Sequence, residues 1–204
     1  MLIVAEAPGK DEDQRGKQLI GDAGQLLRKT LNEFGVDLDR DCWKTNTLIC
    51  RPPNNRTPTD QEIEYCAPNL TAAIKEYNPD VIIPLGGPAV AATLGRYWHS
   101  DLGGIGRWAG FTVPLQPLNA WVCPTWHPSY LQRAKRPELG VWWARHLRAA
   151  FALKDKPWKE VPDYKKEVTV IMDPEEAARQ VALLCAFGNP IAVDYETNML
   201  KPDS

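Results

Sequence analysis

The sequence predicts an α/β protein: a three-layer α/β/α sandwich on a central, mainly parallel sheet of about four strands, with a C-terminal fragment of a second α/β domain. Three observations carry this reading. Short apolar strands alternate with amphipathic helical stretches, the pattern of strand-helix-strand units that place helices on both faces of a parallel sheet. The run Asp80-Val81-Ile82-Ile83-Pro84-Leu85 is almost continuously apolar, as a strand buried on both faces must be. The chain has 204 residues, 44% hydrophobic and 25% charged, which suits one folded domain and part of another and excludes wholesale disorder.

Taken in order, Leu2-Ile3-Val4-Ala5 is the first strand, ended by Ala7-Pro8-Gly9. A buried-type strand at the first residue leads us to expect native sequence upstream of Met1. Gly16 to Gly21 reads as a loop, and Asp22 as the cap of a helix with the stripe Leu26, Leu27, Leu31 and Phe34, stopped by Gly35. Lys44 to Cys50, with β-branched Thr45, Thr47 and Ile49, is the second strand. It runs into the rigid polar loop Arg51-Pro52-Pro53-Asn54-Asn55-Arg56-Thr57-Pro58. Thr59 or Asp60 caps a helix through Tyr77, with Glu62 and Glu64 where the helix dipole favours them. Asp80–Leu85 is the third strand, and Gly86-Gly87-Pro88 leads to a helix through Leu94. Gly103 to Gly110 loops, Ala120–Pro124 is the fourth strand, and a helix opens at Pro137 and runs through Phe151 and Leu153. Residues 1–153 are thus the first domain and 154–166 a charged, proline-containing linker. Residues 167–204 begin a second, incomplete domain with a strand at Val168–Met172, a helix start at Asp173–Glu176 and a strand at Ile191–Asp194.

Composition narrows the function classes. No apolar run approaches the roughly 20 residues that span a bilayer, and the N-terminus lacks a basic, then apolar, signal peptide, so a cytoplasmic protein without a membrane partner is expected. A formal net charge of −2 gives no global nucleic-acid signature, so such a partner must be sought in local patches. Five cysteines without a short-range ladder argue against a disulfide scaffold and for buried thiols or metal ligands. In a parallel sheet, ligands gather at the carboxyl ends of the strands. Glu6, Asn46, Gly86 and His127 all fall at or just past those ends.

Ala5-Glu6-Ala7-Pro8-Gly9, Gly21-Asp22-Ala23-Gly24, Thr45-Asn46, Cys50-Arg51-Pro52-Pro53, Asn55-Arg56-Thr57-Pro58, Glu62-Ile63 with Cys66, and His127-Pro128-Ser129-Tyr130-Leu131 occur in one order along residues 1 to about 150. This series resembles the uracil-DNA glycosylase superfamily, in its iron–sulfur, family 4 form. Each motif alone is common; their order at successive strand ends is specific. The resemblance implies hydrolysis of the N-glycosidic bond of uracil in DNA, with the nucleotide flipped out of the stack into a pocket. Cleavage separates charge into a sugar cation and a base anion. Glu6 suits cation stabilisation or water positioning, His127 suits donation to the base oxygen, and the amide of Asn46 offers the donor and acceptor that a uracil edge needs. Plainer readings exist for each: Asn46 satisfying backbone at a strand end, His127 as a turn histidine, Glu6 as a capping carboxylate.

The resemblance further implies that Glu12 lies beside the pocket and helps exclude the thymine methyl group, although Lys10-Asp11-Glu12-Asp13 also reads as solvated surface. Leu19 stands where the family places an aromatic that stacks on the flipped base, a loss of about 1–3 kcal/mol by analogy with single-strand platforms. Ala5 stands for the family's usual glycine. Ser129, Tyr130, Leu131 and Arg133 are the expected DNA contacts, with an apolar wedge from the Tyr130-Leu131 loop and a basic patch of Arg133, Lys135, Arg136, Arg145 and Arg148. Packing and a solvated helix face are the alternatives.

Cys50 and Cys66 match two of the four thiolates that hold a four-iron, four-sulfur (4Fe-4S) cluster in the family; Cys42, Cys123 and Cys185 do not match the other two. Either the upstream pair is missing from this chain or the cluster has been lost, and the first is expected. In the tail, Ile191 to Leu200 resembles the first motif of the 3'-5' exonuclease of proofreading polymerases, with Asp194 and Glu196 as divalent-metal ligands once that domain is complete. The chain therefore reads as the front of a phage-type DNA polymerase fusion. Its expected partners are uracil-containing DNA and an attached or associated polymerase, and a monomer is expected. The competing reading is a non-catalytic DNA-binding module of a polymerase, which Leu19 favours. A nucleotide-binding α/β protein is disfavoured because no phosphate-cradling loop follows the first strand.

Overall fold

The computed structural model describes residues 1–98, 100–156, 168–186 and 188. Two compact units divide the chain, Met1–Val161 and Pro162–Ser204, and each is described by itself.

The first unit is the expected α/β sandwich. Its sheet has five strands in the order β2-β1-β3-β5-β4: β1 (Leu2–Ala5), β2 (Trp43–Asn46), β3 (Val81–Pro84), β4 (Val113–Leu115) and β5 (Ala120–Val122). All neighbours run parallel except β4, which pairs antiparallel with β5 at the edge. That fifth strand corrects the expectation of four. It is three residues long and carries Pro114, which lacks an N–H and is tolerated only at an edge, so its pattern is too short and broken to announce a strand.

The central strands are buried on both faces, and their residues alternate between two cores. Leu2, Val4 and Ile82 face one core with Ile63 and Leu70 of α4 (Asp60–Tyr77) and Val90 of α5 (Gly87–Thr93). Ile3, Ala5, Val81 and Ile83 face the other with Leu27 and Leu31 of α2 (Asp22–Asn32) and Trp143 and Leu147 of α7 (Pro137–Phe151). Each such leucine or isoleucine contributes about 1.5–3 kcal/mol of burial.

Three short helices depart from the expectations: α1 (Lys10–Arg15), α3 (Leu38–Asp41) and α6 (Pro128–Ala134). The last spans the Tyr130-Leu131 segment expected as a loop, and Pro128 opens it because proline is favoured at the first helical position, where its missing N–H costs nothing. The cap of α2 is Gly21 rather than Asp22, which is the first helical residue and makes no side-chain cap bond. Strand β2 ends at Asn46 rather than Cys50, because its partner β1 ends at Ala5 and only Thr47 and Leu48 still donate across, to Ala5 and Glu6. The Thr59 cap of α4 is present as a reciprocal box: Thr59 Oγ1 accepts from the Glu62 amide and the Glu62 carboxylate accepts from the Thr59 amide.

In the second unit, helix α8 spans Pro174–Ala186. Residues 168–172 are described but form no strand. No partner strand pairs with them among the described residues, and Val168, Val170 and Met172 are exposed. The expected strand at Ile191–Asp194, and with it Asp194 and Glu196, lies outside the described residues.

Candidate active site at the carboxyl edge of the sheet

The ends of β1 and β2, the loops that follow them and the start of α6 enclose one cavity of about 600 Å³. Glu6, Glu12, Leu19, Asn46, His127, Ser129 and Arg133 all line it, from positions up to 127 residues apart in sequence. The strand ends produce this convergence. Glu6 follows the last residue of β1, and Asn46 closes β2 in register with Ala5. His127 caps α6 just beyond β5. Between them, Gly86 takes φ +90°, and a Cβ there would stand 3.1 Å from the His127 Cβ and 3.9 Å from Glu6 Oε2. Glycine therefore lets the acid and the imidazole approach each other. A second cavity of about 360 Å³, lined by Leu70, Ile74, Arg96 and Leu118 among others, holds none of the predicted residues.

His127 has a defined proton state. Its Nδ1 accepts from the Ser129 backbone N–H at 3.3 Å and pairs with Ser129 Oγ at 2.7 Å. A backbone N–H only donates, so Nδ1 carries the lone pair and the proton sits on Nε2. Burial pushes the imidazole pKa down to about 4; the Arg133 charge adds to this and Glu12 opposes it. A cation at a helix N-terminus would also meet the positive end of the dipole. His127 is thus a neutral Nε2–H donor near neutral pH. Glu6 is shifted the other way: burial raises its carboxyl pKa, and the Arg133 guanidinium pulls it back toward the ionised form.

Glu12 lines the cavity but is occupied. Its Oε1 accepts from the Ile20 amide at 3.0 Å and the Gly21 amide at 2.8 Å. It clasps the Leu19–Gly21 loop to α1, and a Cβ on Gly9 or Gly21 would press on this carboxylate. Leu19 adopts a left-handed φ of +53°. It is only 6% exposed, packing into the α2–α7 core while touching the cavity. The carbonyl of Leu19 lies where a Cβ of Gly24 would be, so Gly24 makes the close turn possible.

The remaining predicted residues stand elsewhere. Tyr130 is exposed, with its ring 6.5 Å from that of Trp126, and does not line the cavity. Leu131 packs against the core on the α2 side and lines a separate surface depression with Leu26 and Trp143. Of the basic patch, Arg136 pairs with Glu138, Arg145 lies over Trp142 and Arg148 over Phe34, so Arg133 is the member turned to the cavity. Cys50 is exposed and Cys66 partly buried in α4 against the first core; Cys42 and Cys123 are buried thiols, pushed up to about 11 and about 12. Among the described residues no group of three or more His, Cys, Asp or Glu is arranged to hold a metal ion. Two thiolates do not fit a four-ligand cluster by themselves.

Residues 1–161 match the model of the uracil DNA glycosylase superfamily. The chain belongs to that superfamily. It is 40% identical over 140 residues to the type-4 uracil-DNA glycosylase of Thermotoga maritima, covering 68% of this chain and 69% of that protein. It is 38% identical over 132 residues to the type-4 uracil-DNA glycosylase of Saccharolobus solfataricus, covering 63% of this chain and 60% of that protein. It is also similar to a DNA polymerase of Bacillus phage SP01, at 28% identity over 205 positions that take in 99% of this chain and 21% of the polymerase.

Sequence reasoning missed several walls of this superfamily's cavity in the present chain. Lys10 and Asp11 enter on α1, Asp22 and Ala23 on α2, and Asn55 and Arg56 on the proline-bounded loop. The Ala7-Pro8-Gly9, Gly21-Asp22-Ala23-Gly24 and Asn55-Arg56-Thr57-Pro58 motifs were the available signal. What they lacked was any indication that their loops fold back over Glu6.

Proposed function

We propose that this chain hydrolyses the N-glycosidic bond between uracil and deoxyribose in DNA. The supporting observation is the convergence of Glu6, Asn46 and His127 on one cavity, with the imidazole held as a neutral donor. A flipped uracil would present its edge to the Asn46 amide and a carbonyl oxygen to His127 Nε2–H. As the bond breaks, the imidazole stabilises the anion that develops on the base without giving up its proton. The Glu6 carboxylate, whose pKa burial raises while the Arg133 charge opposes that rise, stabilises the sugar cation or orients the attacking water. Arg133 at the rim suits a phosphate of the extruded nucleotide.

Incubation of a uracil-containing oligonucleotide with the protein tests this directly. Abasic sites are expected, and DNA binding without them would reject the enzyme in favour of a non-catalytic DNA-binding module, the reading that the aliphatic Leu19 in the cavity favours. Asn46→Ala and His127→Ala are expected to slow excision far more than they weaken binding; equal losses would indicate misfolding.

Three finer assignments belong to the same proposal. The similarity to the phage polymerase runs through the residues after 161, which supports a polypeptide in which excision is linked to DNA synthesis. Asp194 and Glu196 would there serve an exonuclease-like domain that starts within 167–204. Cys50 and Cys66 would supply half of a 4Fe-4S ligand set, which iron and acid-labile sulfide analysis tests. No helix among the described residues is long and apolar enough to cross a membrane, and we place the protein with its DNA in the cytoplasm.

A further inference from the structure

We propose that Trp143 and His146, one turn apart on α7, are positioning residues that hold the Thr125-Trp126-His127 segment so that His127 keeps Nδ1 on the Ser129 amide and Nε2–H free for the base. The inference rests on the glycosylase reading above for its function, though not for its geometry.

Sheet bonding ends just before His127. The Thr125 amide still donates to Pro84, and its carbonyl accepts from Gly86, but the next two residues leave the sheet. Two side chains of α7 take over there. Trp143, 1% exposed, donates its indole N–H to the carbonyl of Trp126 at 3.0 Å, the residue directly before His127. The hydroxyl of Thr125, 1% exposed, pairs with His146 Nδ1 at 3.0 Å, while the His146 ring packs 5.1 Å from that of Trp126.

The seat of His146 is built to close tolerance. Gly110, at φ +91°, donates its amide to Pro124, and a Cβ on it would come within 2.6 Å of His146 Nε2. Only glycine lets that backbone pass. Neither Trp143 nor His146 lines the cavity, so neither touches substrate. Apolar packing alone does not account for them. The buried indole N–H of Trp143 and the partly buried imidazole of His146 carry a desolvation cost that leucine or phenylalanine would avoid, and among the described residues the hydrogen bonds that offset it go to this one segment. Fixing that segment is what an oriented donor needs, since misplacement by about 1 Å can cost about a hundredfold in rate.

The test compares the full chain with Trp143→Phe, His146→Ala and His146→Asn. It reads single-turnover excision of uracil, DNA affinity, and the nitrogen-15 resonances of the His127 imidazole near pH 7. Trp143→Phe and His146→Ala are expected to lower the excision rate constant about tenfold or more with affinity within about twofold. Both should convert His127 from a single Nε2–H tautomer to a mixture. His146→Asn, whose amide can reach the Thr125 hydroxyl, should restore rate and tautomer. An unchanged His127 tautomer in the first two variants overturns the proposal, as does a changed tautomer with no loss of rate. A wild-type protein that binds uracil DNA without cutting it rejects the glycosylase reading, and the tautomer then decides the positioning role alone. Should His146→Ala fail to fold, Trp143→Phe, which keeps most of the ring, decides it.

Discussion

His127 carries two demands in one ring: it closes the N-terminus of α6 through Nδ1 and faces the cavity. Both require the neutral form, and protonation breaks the cap. Because folding holds its pKa at about 4, below the ordinary imidazole value of about 6.5, the folded state binds fewer protons than the unfolded one. Its contribution is whole above the ordinary value and is lost as pH falls toward the folded one. Denaturant titrations should show wild type losing about 2 kcal/mol relative to His127→Gln between pH 7 and pH 5; parallel curves would refute the neutral cap. Arg133 acts on both neighbours, favouring ionised Glu6 and neutral His127. In Arg133→Gln the acid limb of the single-turnover rate should move to higher pH, and an unmoved limb would show that the guanidinium does not govern these groups.

Among the elements, the turn between β3 and α5 and the start of α4 separate catalytic from structural requirements. Gly86→Ala would force a side chain onto φ +90° and toward His127, so it should lose both stability, by about 1–3 kcal/mol, and excision. Gly16, at φ +62° with open space around its missing Cβ, is the control. Gly16→Ala should cost about 1–2 kcal/mol and leave the excision rate unchanged. Comparable rate losses in the two would mean that Gly86 matters only for the backbone. Thr59→Ala removes the reciprocal cap of α4 and should lower stability by about 1 kcal/mol, read as a fall in Tm.

For the molecule as a whole, the two-faced core and the cavity lie entirely within Met1–Val161. A fragment of residues 1–161 is therefore expected to unfold cooperatively and to excise uracil at the full-chain rate. A fragment that fails to fold would show that the later residues complete the first domain. Excision should also weaken with added salt, since phosphate contacts release counterions.

Much of this was legible in order of side-chain period. Leu2 to Ala5 and Val81 to Pro84 announce doubly buried strands, and Glu6, Asn46 and His127 follow from the rule that parallel sheets bind at their carboxyl ends. Thr59 or Asp60 as a cap, with Glu62 and Glu64 in the first turns, announced a helix start, and the structure assigns the cap to Thr59. Such features are local, or depend on a periodicity that neighbouring residues share. The edge strand Val113–Leu115, the helix opened by Pro128 and the end of β2 at Asn46 were not legible, because each depends on whether a partner backbone is present.

Strand ends drew attention to an acid, an amide and an imidazole, and the resemblance to the glycosylase superfamily, carried by the motifs around them, supplied the roles proposed for them. Folding alone decided their condition. Ser129 reaching back to Nδ1 sets the tautomer, burial raises the Glu6 pKa and lowers that of His127, and Glu12, expected to help exclude the thymine methyl group, accepts from two backbone amides. Proton state and hydrogen-bond occupancy depend on the dielectric and the partners that a group meets in space, and these come from segments more than a hundred residues apart.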